Sequence, residues 1–264
     1  EVMGYCRYCG KPYDAKITDK YGNVHYTEEL QESDFAEGNT VVLFRDKPDY
    51  QCAPQSSCTI DLNGHSLGRI SFIADGKTLI LKGGGKMNAI ILGYQDIGST
   101  LVIEQTDMYG SQLTVEKLWV NNAVNTRLTN GVFKHIEIAQ KGMVIADLLA
   151  DGYAFFNDTA PIYFGTETSI SGDYYIDKHD HTFTVNSDGR NECECGRICD
   201  HDEIGEDGRC TSCKTQIQVA ILNKADGTES RFEALEDAWA EAIANEGAML
   251  KLLCDIELGN GEYL

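Results

Sequence analysis

The residues best suited to chemistry are crowded into one stretch. His179-Asp180-His181 precedes Asp188-Gly189-Arg190 and Cys193-Glu194-Cys195, and Cys199-Asp200-His201 precedes Asp207-Gly208-Arg209 and Cys210-Thr211-Ser212-Cys213. Each half of this tandem repeat offers four nitrogen or sulfur donors, two on either side of an Asp-Gly turn. Four such donors suit a closed, tetrahedral site for structural zinc, and the turn folds the two pairs together. Cys199, His201, Cys210 and Cys213 are the better-spaced set, because Cys-x-x-Cys is a common zinc knuckle. Cys193 and Cys195 are closer together, and His179 and His181 also fit an ordinary surface role. Disulfides are the alternative, since ten cysteines in an oxidising compartment could simply pair. Either cross-link staples a segment with too little core of its own. A catalytic zinc needs an open coordination position, and nothing in the sequence requires one.

The second knuckle has an earlier copy. Cys6-Arg7-Tyr8-Cys9 lies 204 residues before Cys210–Cys213, Ala15-Lys16-Ile17 falls under Val219-Ala220-Ile221, and Lys20 falls under Lys224. A stretch five residues longer in the second copy follows, after which Glu37–Asp46 realigns with Glu246–Asp255. Similarity at a fixed period signals an array of structural repeats. Residues 1 to about 209 read as one unit, and tandem copies are expected in the full chain. Cys6 and Cys9 then belong to a metal site whose other ligands are expected upstream of residue 1. Cys52 and Cys58 bracket a short loop and read as a disulfide or as a pair of buried thiols, and Cys254, aligned with Arg45, reads as a packed strand residue.

The elements that must position these residues follow from periodicity. Phe232, Leu235, Ala238, Trp239, Ala242 and Ile243 recur at three- and four-residue spacing, which predicts an amphipathic helix ended by Gly247. A shorter helix is expected from about Thr27 to Ala36, with Thr40–Phe44 and Met249–Leu253 as matching strands. From Cys58 to about Phe156 the chain breaks into short β-rich runs separated by Gly, Asn and Asp. Runs beginning at Thr59, Thr78, Thr100 and Thr126 look like variants of one rung, with second strands at Ile70–Ile73, Ala89–Leu92, Leu113–Val115 and Phe133–Ile138. Coils of roughly 20 to 25 residues predict a mainly β fold, a right-handed parallel β-helix, in which each coil buries its apolar side chains against the next. Strand periodicity is also compatible with an antiparallel sandwich.

The predicted organisation is the end of a zinc knuckle at 1–9, a strand-helix-strand cap at 10–46, the parallel β-helix at 47–157, a closing segment at 158–177, the tandem zinc-binding module at 178–213 and the cap of the next repeat at 214–264.

Composition narrows the function. The chain has 264 residues, 42% of them hydrophobic, and a net charge of −20 from 42 acidic against 22 basic residues. That charge argues against nucleic acid or a polyanionic glycan as partner, because such partners need a basic footprint. No apolar run reaches the ~18 residues of a membrane-spanning helix, so no membrane insertion is expected of this chain. The rung charges Asp61, Lys82 and Glu104 have the residue types of a glycan-cleaving site, but they fall where strands normally face water. Tyr153, Phe155, Phe156, Tyr163, Phe164, Tyr174 and Tyr175 are expected to pack the lower cap or to form a binding patch, aromatic residues being favoured at interfaces.

The run Asp226-Gly227-Thr228 to Phe232, Leu235 and Ala238, ending in Gly247 to Asp255, resembles modules of large secreted repeat proteins of gut Firmicutes, as do Ile60–His65 and Asp147–Tyr153. The resemblance covers most of the chain. It implies a secreted or cell-wall-attached β-helix array. Some surface proteins of this general kind bind host immunoglobulin variable domains as superantigens. The expected function is therefore a non-enzymatic adhesin for a host protein, immunoglobulin Fab being the most specific candidate. A glycan-binding or polysaccharide-degrading β-helix, or a passive spacer, is the alternative.

Overall fold

The computed structural model describes residues 4–104 and 112–255. It is mainly β, with 44% strand and 7% helix, and divides into two compact units, Glu1–Asp180 and His181–Leu264.

The first unit is a parallel β-solenoid of about five turns. A hairpin of β1 (Ala15–Thr18) and β2 (Val24–Thr27) opens it. The following coils each give one strand to either of two sheets: β3 (Thr40–Leu43) and β4 (Lys47–Cys52), β5 (Cys58–Asp61) and β6 (Ser66–Phe72), β7 (Thr78–Lys82) and β8 (Gly85–Leu92). In the next coil β9 (Thr100–Ile103) is followed by β10 (Leu113–Val115) and β11 (Leu118–Val120), and the last contributes β12 (Val132–Ile138). The β3-β5-β7-β9 and β4-β6-β8-β10-β12 ladders are parallel, which excludes the sandwich. A closing meander of β13 (Tyr153–Asn157), β14 (Ala160–Ile162) and β15 (Ser169–Lys178) ends the stack, with β15 antiparallel to β12.

Strand alternation makes the core. Ile70, Ile90, Leu118, Ile136 and Ile170 stand in register on five successive strands and all point inward. Phe72, Leu92, Val120 and Ile138 form a second buried ladder two residues on. Each fully buried side chain of this size contributes about 1.5–3 kcal/mol, and each has its neighbours one coil above and below. The corners rely on local backbone chemistry. Asn63 and Gly64 both adopt positive φ, 49° and 83°, and the Asn63 side-chain amide donates to the carbonyl of Leu43 on the preceding coil at 3.0 Å.

Several sequence expectations shift. The rung beginning at Thr126 is not a strand: Leu128 makes only an isolated bridge to Leu149, while Thr126 Oγ1 accepts a bond from the amide of Leu101. The helix expected from Thr27 to Ala36 is only the 3-10 turn Glu32–Phe35, because Thr27 is used by the hairpin. Cys52 and Cys58 are buried free thiols, not a disulfide, and burial pushes both up to about 12.

The cap also carries a charged clamp that sequence reading misses. The buried carboxylate of Asp14 is held by Lys47 and Arg45. Burial alone would raise its pKa, but the two cations outweigh it and hold the carboxyl below the usual carboxylate range. Its contribution is therefore present above the unfolded value of about 3.9 and is lost as pH falls through the lower folded value. Asp14→Asn should cost about 2–3 kcal/mol at pH 7, somewhat under the usual cost of breaking a buried pair because Arg45 reaches solvent. It should also flatten the acid limb of stability. Denaturant midpoints measured across that pH range check both; an unchanged acid limb would exclude the clamp as its source.

The second unit contains a small hairpin, β16 (Phe183–Val185) with β17 (Asn191–Cys193), and a three-stranded cap. The cap consists of β18 (Ala220–Asn223), β19 (Glu229–Phe232), the helix α1 (Leu235–Ala244) and β20 (Met249–Leu252). Its strand order, β19-β18-β20, is that of β2-β1-β3. Pairing registers fix the correspondence: Ala15 faces Leu43 and Thr27, as Ala220 faces Leu252 and Phe232. From β1 onward the offset is therefore 205, not 204, so Lys224 replaces Asp19 rather than Lys20. By β20 it is 209, so the insertion is four residues, about one helical turn, and α1 stands where the first cap has only a 3-10 turn.

Candidate metal centres

The knuckles are built by a shared backbone plan. In residues 4–13 the amide of Cys6 donates to the carbonyl of Lys11, that of Gly10 to Cys6 and that of Tyr13 to Gly4. In residues 208–217 Cys210 donates to Thr215, Lys214 to Cys210 and Ile217 to Gly208. The two loops superpose bond for bond at an offset of 204. Cys193 follows the same plan in a version one residue shorter, donating to Arg197 and accepting from Gly196. In all three, the residue after the second cysteine has positive φ: 69° at Gly10, 92° at Gly196 and 62° at Lys214. That left-handed residue curls the loop so that both sulfurs emerge on one side. Lys214 does so at a steric cost that glycine avoids.

Opposite the knuckles, each Asp-Gly turn closes a hairpin. Asn186 and Gly205 donate to the carbonyls of Arg190 and Arg209, while Gly189 and Gly208 close the turns. The hairpins bring the histidine-bearing segments back to the cysteines. Two groups result: His179, His181, Cys193 and Cys195, and Cys199, His201, Cys210 and Cys213, with the donor atoms of each group all within 4.8 Å of one another.

The spacing of these atoms fits a metal ion. In the second group Cys199 Sγ lies 3.5 Å from His201 Nδ1 and 3.6 Å from Cys210 Sγ, and Cys213 Sγ lies 3.3 Å from His201 Nδ1. In the first group Cys195 Sγ lies 3.5 Å from His181 Nδ1. A tetrahedral ion with metal–sulfur bonds of about 2.3 Å and metal–nitrogen bonds of about 2.0–2.1 Å sets its ligands roughly 3.3–3.8 Å apart. A disulfide would require about 2.05 Å between sulfurs, and all described cysteines are free. Local fields differ within the second group. Burial pushes Cys199 up to about 12 and Cys195 up to about 11. Burial also opposes ionisation of Cys210, but the amides of Cys213 and Ser212 and the His201 side chain overcome it and lower its pKa. With four protein donors, each group can close the coordination shell of an ion without solvent, and such a shell is structural.

Cys6 and Cys9 have the same knuckle, but among the described residues no third ligand joins them. The amides of Cys9 and Tyr8 lower Cys6 to about 6. Equivalent donors, Cys213 and Ser212, act on Cys210.

The other candidates are placed as follows. Asp61 and Lys82 are directly opposed on β5 and β7, and Glu104 follows β9 one coil on, which makes a ladder of alternating charge on the outward face. Most of the aromatic cluster packs the closing meander. Phe155 and Phe164 are buried, Phe155 meets Phe133 edge-on at 6.4 Å, and Phe164 meets Tyr174 edge-on at 5.2 Å. Phe155 and Phe164 therefore belong to the core and not to a binding patch. Phe156 stacks on Tyr175 and abuts His179, while Tyr153 and Tyr163 are half-buried.

A different surface group was not legible in the sequence. On the outward face of the second sheet Ser71, Ile91, Trp119, Glu137 and Ser169 stand in register. Trp119 Nε1 donates to Glu137 at 3.0 Å, Lys117 lies over the indole at 5.5 Å, and His135 contacts Ser171 at 2.7 Å. Nothing matched in any comparison. Protein-family models, curated proteins and solved structures were all searched without a match.

Proposed function

We propose that the chain is a non-enzymatic module of a surface repeat array, in which a rigid solenoid displays a flat sheet to a protein partner and zinc-clasped knuckles secure the boundary between repeats. The observation that carries this reading is the recurrence of residues 4–43 at 208–252, with the same knuckle bonds and the same cap registers. A boundary that recurs in this way is the joint of an array, and arrays multiply weak contacts into avidity. Zinc suits the Cys2His2 and Cys3His donor sets by ligand type and tetrahedral spacing. The resemblance to secreted proteins of gut Firmicutes supports an extracellular setting and makes host immunoglobulin variable domains the first partner to test.

The Trp119 face is the surface we assign to that partner, because tryptophan within a polar rim is the composition of interface hot spots. Immobilised protein should retain a partner from human serum or mucosal secretions, identified by mass spectrometry, with Fab retained over Fc. Trp119→Ala should reduce retention at least tenfold, on the order of 1.4 kcal/mol or more, without lowering the melting temperature. Retention unaffected by Trp119→Ala would move the site elsewhere, and cleavage of a glycan panel would overturn the non-enzymatic reading.

A further inference from the structure

The two caps differ in what covers them. In the first, Val41 and Leu43 on β3 are fully buried, and β5 runs parallel along the free side of β3 with Val41 opposite Ile60 and Val42 opposite Asp61. The register equivalents on β20 are Leu250 and Leu252. Leu252 is 42% exposed, and β20 is an edge strand among the described residues. Aliphatic side chains alternating along an open strand edge form a template for another strand.

We infer that β20 is a docking edge for a second solenoid rung of the kind formed by Cys58–Asp61 and its Asn63-Gly64 corner, added in parallel as β5 is added to β3. Three further features of the first cap recur in the second. Gly38 and Gly247 precede the strand with φ 75° and 80°. In the first cap the Asn63 side chain donates to the carbonyl of Leu43, and the amide of Ser66 donates to the Asp46 carboxylate at 2.8 Å. Leu252 and Asp255 stand at the corresponding positions. The fit is also electrostatic, since Lys251 replaces Val42 and would face the aspartate of the incoming rung. Cross-strand pairs of opposite charge on adjacent strands are stabilising.

This inference rests on the array reading but not on any host partner, so it and the retention experiment can fail separately. The test is a chain in which residues 47–157 are joined directly after Asp255, compared by hydrogen exchange with the original. Amides of Met249–Leu252 not already bonded to β18 should slow by about tenfold or more. Lys251→Asp in the fused chain should reverse part of that protection, and combining it with Asp61→Lys in the appended copy should restore it. In the original chain Lys251→Asp should leave stability unchanged. If the appended coils fold while β20 exchanges as before, or remain unfolded while the first solenoid is intact, the inference is overturned. A charge reversal without rescue would also contradict the proposed register.

Discussion

Ile90→Asp will unfold the first unit, whereas Ile91→Asp, one residue further along the same strand, will leave it folded. Ile90 is fully buried and lies between Ile70 and Leu118 in the inward ladder. A carboxylate there has no cation within the core to pair with, so it must be buried charged or must protonate, and the packing of three coils is lost with it. The expected cost exceeds about 5 kcal/mol, comparable with the whole stability of a domain. Ile91 stands on the other face, between Ser71 and Trp119, where a surface substitution should change stability by about 0.5 kcal/mol or less. Thermal unfolding of the two variants makes the contrast directly. Similar losses in both would mean that β8 does not present its faces as described.

Removal of metal will melt the knuckle segment without melting the coils. The Cys3His group of Cys199, His201, Cys210 and Cys213 stands in a part of the chain with few buried aliphatic residues between Phe183 and Val219, so a bound ion would supply what a core otherwise contributes. Structural zinc binding contributes about 10–16 kcal/mol at neutral pH in small domains. A strong chelator should therefore abolish amide protection at Cys210, Lys214 and Ile217, whose bonds define the knuckle, while protection along β5 to β8 persists. Cys213→Ser should reproduce the effect in the presence of zinc. Persistence of knuckle protection in excess chelator would show that hydrogen bonds alone hold the loop and would remove the need for a clasp.

The parts of this fold that were legible in the sequence are those fixed by local pattern. Thr78–Lys82 is a short aliphatic run, Leu79-Ile80-Leu81, framed by Thr78 and Lys82 and followed by glycines, and a solenoid strand needs little more, so β7 lies where its pattern predicts. The ligand groups were legible because donor type and the intervening Asp-Gly turn are both local. Long-range competition decided the rest. Thr126–Gly131 reads as a rung, yet Thr126 caps the amide of Leu101 instead of pairing as a strand. Thr27 reads as a helix start, yet its hydrogen bonds go to the hairpin with Ala15. The Asp14 clamp joins residues 31 and 33 positions apart, and the Trp119 face arises only when five strands align. Neither leaves a periodic trace. The aromatic run from Tyr153 to Tyr175 reads first as packing of the cap and second as a surface, and the fold of β13 onto β15 buries Phe155.

The most direct test of the structural claim is native mass spectrometry of the chain prepared with zinc and without added oxidant. Two zinc ions should bind, one through the Cys2His2 group and one through the Cys3His group, with a mass consistent with metal-bound thiolates and with both ions released by acid. A chain that carries no metal, and whose mass falls by two hydrogen atoms for each cysteine pair, would replace the clasps with disulfides and contradict the account.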